Sequence, residues 1–283
     1  MNARRWALVA AAVVTVAIAV VAVLQFTSGP ASAAYVALGD SYASGAGTSS
    51  GTAEENECRR SDAAHPNLLA AEVEALADLD FVACSGATTE DLLAEQLPAV
   101  GAGTQVVTMT IGGNDVGLTR SLRVCALTPE STDCTGAVAG AQDVIGQLPA
   151  RIADVIGQVR ERAPEARVFV TAYPVLVGAD VVAGTAACTI AGFDVPPEVA
   201  QVSDAINNSL NEAVAAGVEQ AGDPDAVFVD VAPAFEGHDL CAADPWINGV
   251  VLSGGSASVN SFHLNAAGER AYADALLAAG IGG

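Results

Sequence analysis

Short runs of β-branched and apolar residues alternate with longer stretches of helical periodicity along most of the chain. The runs predict strands at Tyr35–Leu38, Asp80–Ala83, Val106–Ile111, Arg167–Ala172 and Val227–Asp230. Between them the pattern predicts helices at His65–Ala77, Thr89–Leu97, Ala137–Ala163 and Pro197–Ala221. A last helix is expected over Asn265–Ala279, with the Asn265 side chain as its N-cap. Five strands separated by helices imply an α/β fold, a five-stranded parallel sheet in a three-layer α/β/α sandwich. No internal repeat or low-complexity linker divides the chain, so one domain over residues 35–283 is expected.

The first 34 residues follow a different pattern. Arg4 and Arg5 precede an uncharged apolar run from Trp6 to Leu24, and Ala31-Ser32-Ala33-Ala34 offers a small-residue cleavage site. The run is also long enough, at roughly 28 Å as a helix, to span a bilayer core. Residues 1–34 therefore read as a signal peptide or an uncleaved signal-anchor. Either way the remainder is exported, to a secreted or extracytoplasmic location, with membrane association through the apolar run in the anchored case.

Composition narrows the chemistry. Hydrophobic residues make up 52% of the chain and charged ones 16%, which excludes a disordered protein. The net charge of −22, from 11 basic and 33 acidic residues, argues against nucleic-acid partners. Every basic residue is Arg. Without Lys there is no Walker A loop, no Schiff base and no Ser-Lys dyad. Only His65, His238 and His263 remain as imidazole bases. Six cysteines in an exported chain favour three disulfides, with the connectivity open; pairing neighbours in order, Cys58–Cys84, Cys125–Cys134 and Cys188–Cys241, is the simplest. No Cys-x-x-Cys spacing suggests a metal site.

In open parallel sheets, functional groups gather beyond the carboxyl ends of the strands. Here those loops hold Gly39-Asp40-Ser41-Tyr42, then Cys84-Ser85-Gly86, then Gly112-Gly113-Asn114-Asp115, and finally Asn260-Ser261-Phe262-His263 before the last helix. Acyl transfer by a serine needs a base to take its proton and donors to hold the developing oxyanion. Ser41, at a strand-to-helix turn, is the candidate nucleophile and His263 the candidate base. The N–H groups of Ser41 and Gly86 and the amide of Asn114 are candidate oxyanion donors. His65 precedes Pro66 at a helix start and reads as a capping or surface residue; His238 reads as exposed or structural. Asp115 reads as structural. The loops Val175–Pro197 and Glu236–Ser258, rich in apolar residues, are candidate substrate walls.

This constellation resembles the GDSL, or SGNH, hydrolase family, named for its Ser, Gly, Asn and His. Gly39-Asp40-Ser41-Tyr42 is similar to the first block, with Tyr where Leu is usual. Gly86, Gly112-Gly113-Asn114-Asp115 and His263 match the later blocks in order, and the resemblance spans Tyr35 to Ala279. It implies the flavodoxin-like SGNH hydrolase fold, Ser41 as nucleophile, His263 as base, and an oxyanion hole of Ser41, Gly86 and Asn114. It implies no metal, nucleotide or flavin. The cysteines look like those of the secreted actinobacterial esterases and lipases of the family, which implies sequential pairing.

One position departs from the pattern. The family's last block is commonly Asp-x-x-His, and this chain has Asn260 in place of the Asp. Some secreted actinobacterial relatives hold the His by a main-chain carbonyl, and the Asn260 carbonyl is the first candidate here, with Asp244 behind it. The resemblance implies an esterase or lipase cleaving carboxylic or lipid esters, and a monomer is expected. Rival readings are a phospholipase, a thioesterase, or a cell-envelope acyltransferase or deacetylase of the same fold. A rival of another class is an inactive lipid-binding envelope protein.

Overall fold

The strands of the computed structural model are, in chain order, β1 (Tyr35–Gly39), β2 (Leu79–Phe81), β3 (Val106–Thr110) and β4 (Arg167–Thr171), a hairpin of β5 (Thr189–Ile190) and β6 (Phe193–Asp194), β7 (Ala226–Val229), and a second hairpin of β8 (Leu252–Ser253) and β9 (Ser256–Ala257). Residues 32–49, 56–118, 131–190, 192–253 and 256–283 are described. β1, β2, β3, β4 and β7 form one all-parallel sheet in the order β2-β1-β3-β4-β7, each overlapping its expected range. This is the flavodoxin-like order, in which direction reverses beside β1. The near-continuous apolar run of β1 follows from its place inside the sheet, where Tyr35, Val36, Ala37 and Leu38 are all fully buried. The two hairpins were not expected; both lie in loops read as substrate walls.

Among the described residues the α-helices are α1 (Ser41–Ser44), α2 (His65–Glu72), α3 (Thr89–Asp91), α4 (Thr132–Ile145), α5 (Leu148–Arg162), α6 (Ala179–Val182), α7 (Pro197–Ala221) and α8 (Ala266–Ala278). α5 packs against α7, and α2 against α8. Leu148, Ile152, Val155, Ile156 and Val159 form the buried stripe of α5. Each contributes about 1.5–3 kcal/mol by leaving water. The single helix expected over Ala137–Ala163 is two. Gly146 and Pro149 interrupt it, and Pro149 enters α5 in its first turn, where its missing N–H has no partner to lose. Likewise the helix expected over His65–Ala77 ends at Glu72, because Val73 takes an extended conformation. Asn265 caps α8 as expected, its side chain accepting from the Ala267 and Gly268 N–H groups.

Residues Ala33–Gly283 form one compact unit. Cys58–Cys84 and Cys188–Cys241 are bonded. The expected Cys125–Cys134 bridge and the apolar run from Trp6 to Leu24 lie outside the described residues. Among the described residues no helix is long and apolar enough to cross a membrane.

Candidate active site

β1 delivers Ser41 to the carboxyl edge of the sheet. Gly39 at its end adopts φ +125°, and a Cβ there would lie 2.5 Å from the Thr110 carbonyl oxygen, so only glycine fits. The buried Gln96 side chain clamps this glycine: its Oε1 accepts from Gly39 N–H at 2.7 Å and its Nε2 donates to the Gly39 carbonyl at 2.9 Å. Asp40 caps the single turn of α1, accepting from Tyr42 N–H at 2.9 Å, and Gly45 closes that turn in the left-handed region. The Ser41 hydroxyl is thereby held at a defined point on the sheet edge.

The loop before α8 brings His263 to the same point. His263 Nε2 lies 2.7 Å from Ser41 Oγ, and its Nδ1 donates to the Ser261 carbonyl at 2.9 Å. A carbonyl can only accept, so Nδ1 carries the proton and Nε2 is left as the acceptor for the serine hydroxyl. Burial pushes the imidazole below its ordinary pKa, against the opposing pull of the Ser261 and Val259 backbone groups. Burial thus favours the neutral ring, whose Nε2 lone pair faces the serine hydroxyl. Phe262 between them sits in the left-handed region at φ +63°, which costs a side-chain-bearing residue on the order of 1–2 kcal/mol. Asn248 ties the loop through bonds to the Phe262 N–H and the His263 carbonyl. Gly47 lets it approach, since a Cβ there would run into the Leu264 carbonyl.

Two expectations about what orients His263 are corrected here. The Asn260 carbonyl does not take the Nδ1 proton. It accepts from the His263 main-chain N–H and from Asn248 Nδ2, because the left-handed turn at Phe262 presents the next carbonyl, that of Ser261, to the ring. The Asn260 side chain instead donates to the carbonyls of Gly47 and Ser49. Asp244 lies beside another histidine: its carbonyl accepts from His238 Nδ1 at 2.8 Å, its exposed carboxylate is 3.8 Å from the same nitrogen, and the His238 ring stacks on Trp246. His65 is buried rather than superficial, because Glu269 of α8 accepts from its backbone N–H and from Nδ1, each at 2.9 Å.

The other two loops are tied to the first. Cys84 N–H donates to the Gly39 carbonyl and Ser85 N–H to that of Cys58, whose disulfide to Cys84 closes this corner. Gly86 follows at φ +92° with nothing within 4 Å of where a Cβ would stand. Asn114 Nδ2 donates one proton to the Ala87 carbonyl at 3.0 Å, which orients the amide; among the described residues no acceptor takes its second N–H. Asp115 accepts from the Thr89 N–H and hydroxyl and from Arg151, the structural part expected of it. Among the described residues no acceptor takes the N–H of Ser41 or of Gly86.

Beneath these loops lies a network that sequence reasoning missed. Tyr173 OH donates to Asp40 Oδ2 at 2.5 Å and accepts from Gly113 N–H at 2.8 Å, linking the Ser41 turn to the Asn114 turn. Burial pushes the Asp40 carboxyl up to about 7, opposed by its bonds from Tyr173 and Tyr42. The expected wall loops line a cavity of about 770 Å³ that includes Val175, Val181 and Phe235 but also Asp180, Asp230 and Glu236. Neither Ser41 nor His263 lines it. Among the described residues no group of three or more His, Cys, Asp or Glu could hold a metal ion.

Comparison with known proteins agrees with this geometry. Residues 37–271 match the family model described as the GDSL-like lipase/acylhydrolase family. A lipase of Streptomyces rimosus is 36% identical over 271 residues, covering 94% of each chain. The crystal structure of an extracellular lipase from Streptomyces rimosus superposes with a TM-score of 0.74 at 34% identity, covering 87% of this chain and 98% of that one. That of a phospholipase A1 from Streptomyces albidoflavus NA297 gives 0.71 at 33% identity, covering 88% and 99%. With the family model spanning most of the chain and the fold shared throughout, this protein belongs to the GDSL-like lipase/acylhydrolase family and is a carboxylic ester hydrolase.

Proposed function

We propose that this hydrolase is exported and cleaves carboxylic and lipid esters through an acyl-enzyme on Ser41. His263 Nε2 takes the Ser41 proton as Oγ attacks the ester carbonyl. The N–H groups of Ser41 and Gly86 and the second Nδ2 proton of Asn114 receive the oxyanion. Collapse of the tetrahedral intermediate breaks the ester C–O bond, and the imidazolium protonates the departing alcohol. His263 then deprotonates a water that attacks the acyl group, and Ser41 is regenerated. The observation that carries this reading is the 2.7 Å contact between Ser41 Oγ and His263 Nε2. In support, the Ser261 carbonyl takes the part a carboxylate plays in a triad: it selects the Nδ1–H tautomer, though as a neutral acceptor it stabilises the imidazolium less.

Residues 1–34 serve as the export signal or anchor, and 35–283 as the hydrolase domain. The extracellular lipase relative and the leader-like N-terminus support export. The lipase names of the relatives support lipid esters, and the phospholipase A1 neighbour makes a phospholipid acyl ester the second substrate to try. The test is hydrolysis of p-nitrophenyl esters from acetyl to palmitoyl, and of phosphatidylcholine, by the protein and by its Ser41→Ala and His263→Ala variants. Turnover abolished in both variants is expected. Turnover retained by well-folded Ser41→Ala protein would refute the reading.

A further inference from the structure

We propose that Tyr42 is a positioning residue for His263: the bond from its hydroxyl to the Phe262 carbonyl holds the left-handed turn that aims Nε2 at Ser41 Oγ. This rests on the Ser41–His263 reading above. The Ser261 carbonyl reaches Nδ1, two residues further along, around a Phe262 held at φ +63°. Such a turn persists only where its surroundings hold it. The flanking carbonyls are already engaged, that of Ser261 by the ring and that of His263 by Asn248 N–H. The Phe262 carbonyl between them accepts from Tyr42 OH at 2.8 Å, across 220 residues of sequence.

Tyr42 is well placed to act as a strut. It belongs to the same one-turn helix as Ser41, and its own N–H is fixed by Asp40. Its ring meets Tyr173 edge-on at 5.1 Å and lies 5.2 Å from the His263 ring. Burial first, then the charges of Asp40 and Glu269, push the phenol above its ordinary pKa, so it keeps the proton it donates. One side chain therefore joins the turn that carries the hydroxyl to the loop that carries the imidazole. Leu, usual at this position in the family's first block, has no proton to give.

Tyr42→Phe removes the hydroxyl and keeps the ring. Hydrolysis of p-nitrophenyl butyrate is measured for the parent, Tyr42→Phe, Tyr42→Leu and Ser41→Ala, with turnover divided by the sites titrated with a fluorophosphonate, or by total protein for Ser41→Ala, which has no Ser41 to titrate. Misfolded molecules then drop out of the count. Misplaced reacting groups lower kcat and leave binding alone. The expected result is a fall of about tenfold in kcat per titrated site for both Tyr42 variants, close to 1.4 kcal/mol, with KM within twofold. A Tyr42→Phe protein with kcat within twofold of the parent overturns the proposal, whether or not its melting temperature falls. So does an effect confined to KM. Turnover retained by Ser41→Ala would instead remove the dyad reading beneath it.

Discussion

Replacing Gln96 by Leu tests how Ser41 is held. The substitution keeps an apolar volume in a site where Gln96 is 3% exposed, and it deletes both bonds to Gly39. The Gly39 carbonyl keeps the N–H of Cys84 as a donor, so its loss is small. The Gly39 N–H loses the Gln96 acceptor inside the protein, which costs about 1–3 kcal/mol. A destabilisation of about 2 kcal/mol follows, or about 4–8 °C in melting temperature for a domain of this size. Because Gly39 lies two residues before Ser41, kcat should fall as well. Urea denaturation and thermal melting of the parent and variant supply the numbers. Gln96→Glu adds a check of sign. Ionised, it offers no donor to the carbonyl; protonated, it recovers one, so its deficit should shrink on acidification. A Gln96→Leu protein as stable as the parent would refute the clamp.

Three further outcomes follow from the same geometry. His263 must be neutral to act and burial lowers its pKa, so the acid limb of kcat/KM should have its midpoint below the ordinary histidine value of about 6.5; a midpoint above it contradicts the buried, carbonyl-held ring. Asp40 has its folded pKa raised to about 7, so its contribution to stability is complete below the unfolded value of about 3.9 and is lost as pH rises to about 7. The unfolding free energy of the parent minus that of Asp40→Asn should therefore fall by up to about 4 kcal/mol across that window and be flat beyond it. Replacing Cys188 and Cys241 together by Ser opens a crosslink of sequence separation 53, and the chain-entropy relation puts the loss near 4 kcal/mol in chemical denaturation.

The sheet was legible because its strands are short apolar runs set between amphipathic helices, and that alternation survives any detail of packing. Helix boundaries were less so: Gly146 and Pro149 are visible in the sequence, but an otherwise continuous pattern conceals the break they cause. At the site, Ser41, Gly86, Asn114 and His263 could be picked out as candidates because each follows a strand or precedes a helix and carries suitable chemistry. What orients them could not. Ser261 acts through a main-chain carbonyl that every residue possesses, exposed by a positive φ at Phe262 that no local rule anticipates. Gln96 and Tyr173 are single polar side chains in apolar surroundings, linked to the site only by the folded arrangement of the sheet edge. Tyr42 alone carried a signal, as a departure from the usual first block.

Peptide mapping by mass spectrometry after treatment with a serine-reactive fluorophosphonate tests the Ser41–His263 mechanism most directly. One phosphonyl adduct is expected, on Ser41, formed at a rate that collapses in His263→Ala. An adduct on another residue, or an undiminished rate of labelling in His263→Ala, would contradict it.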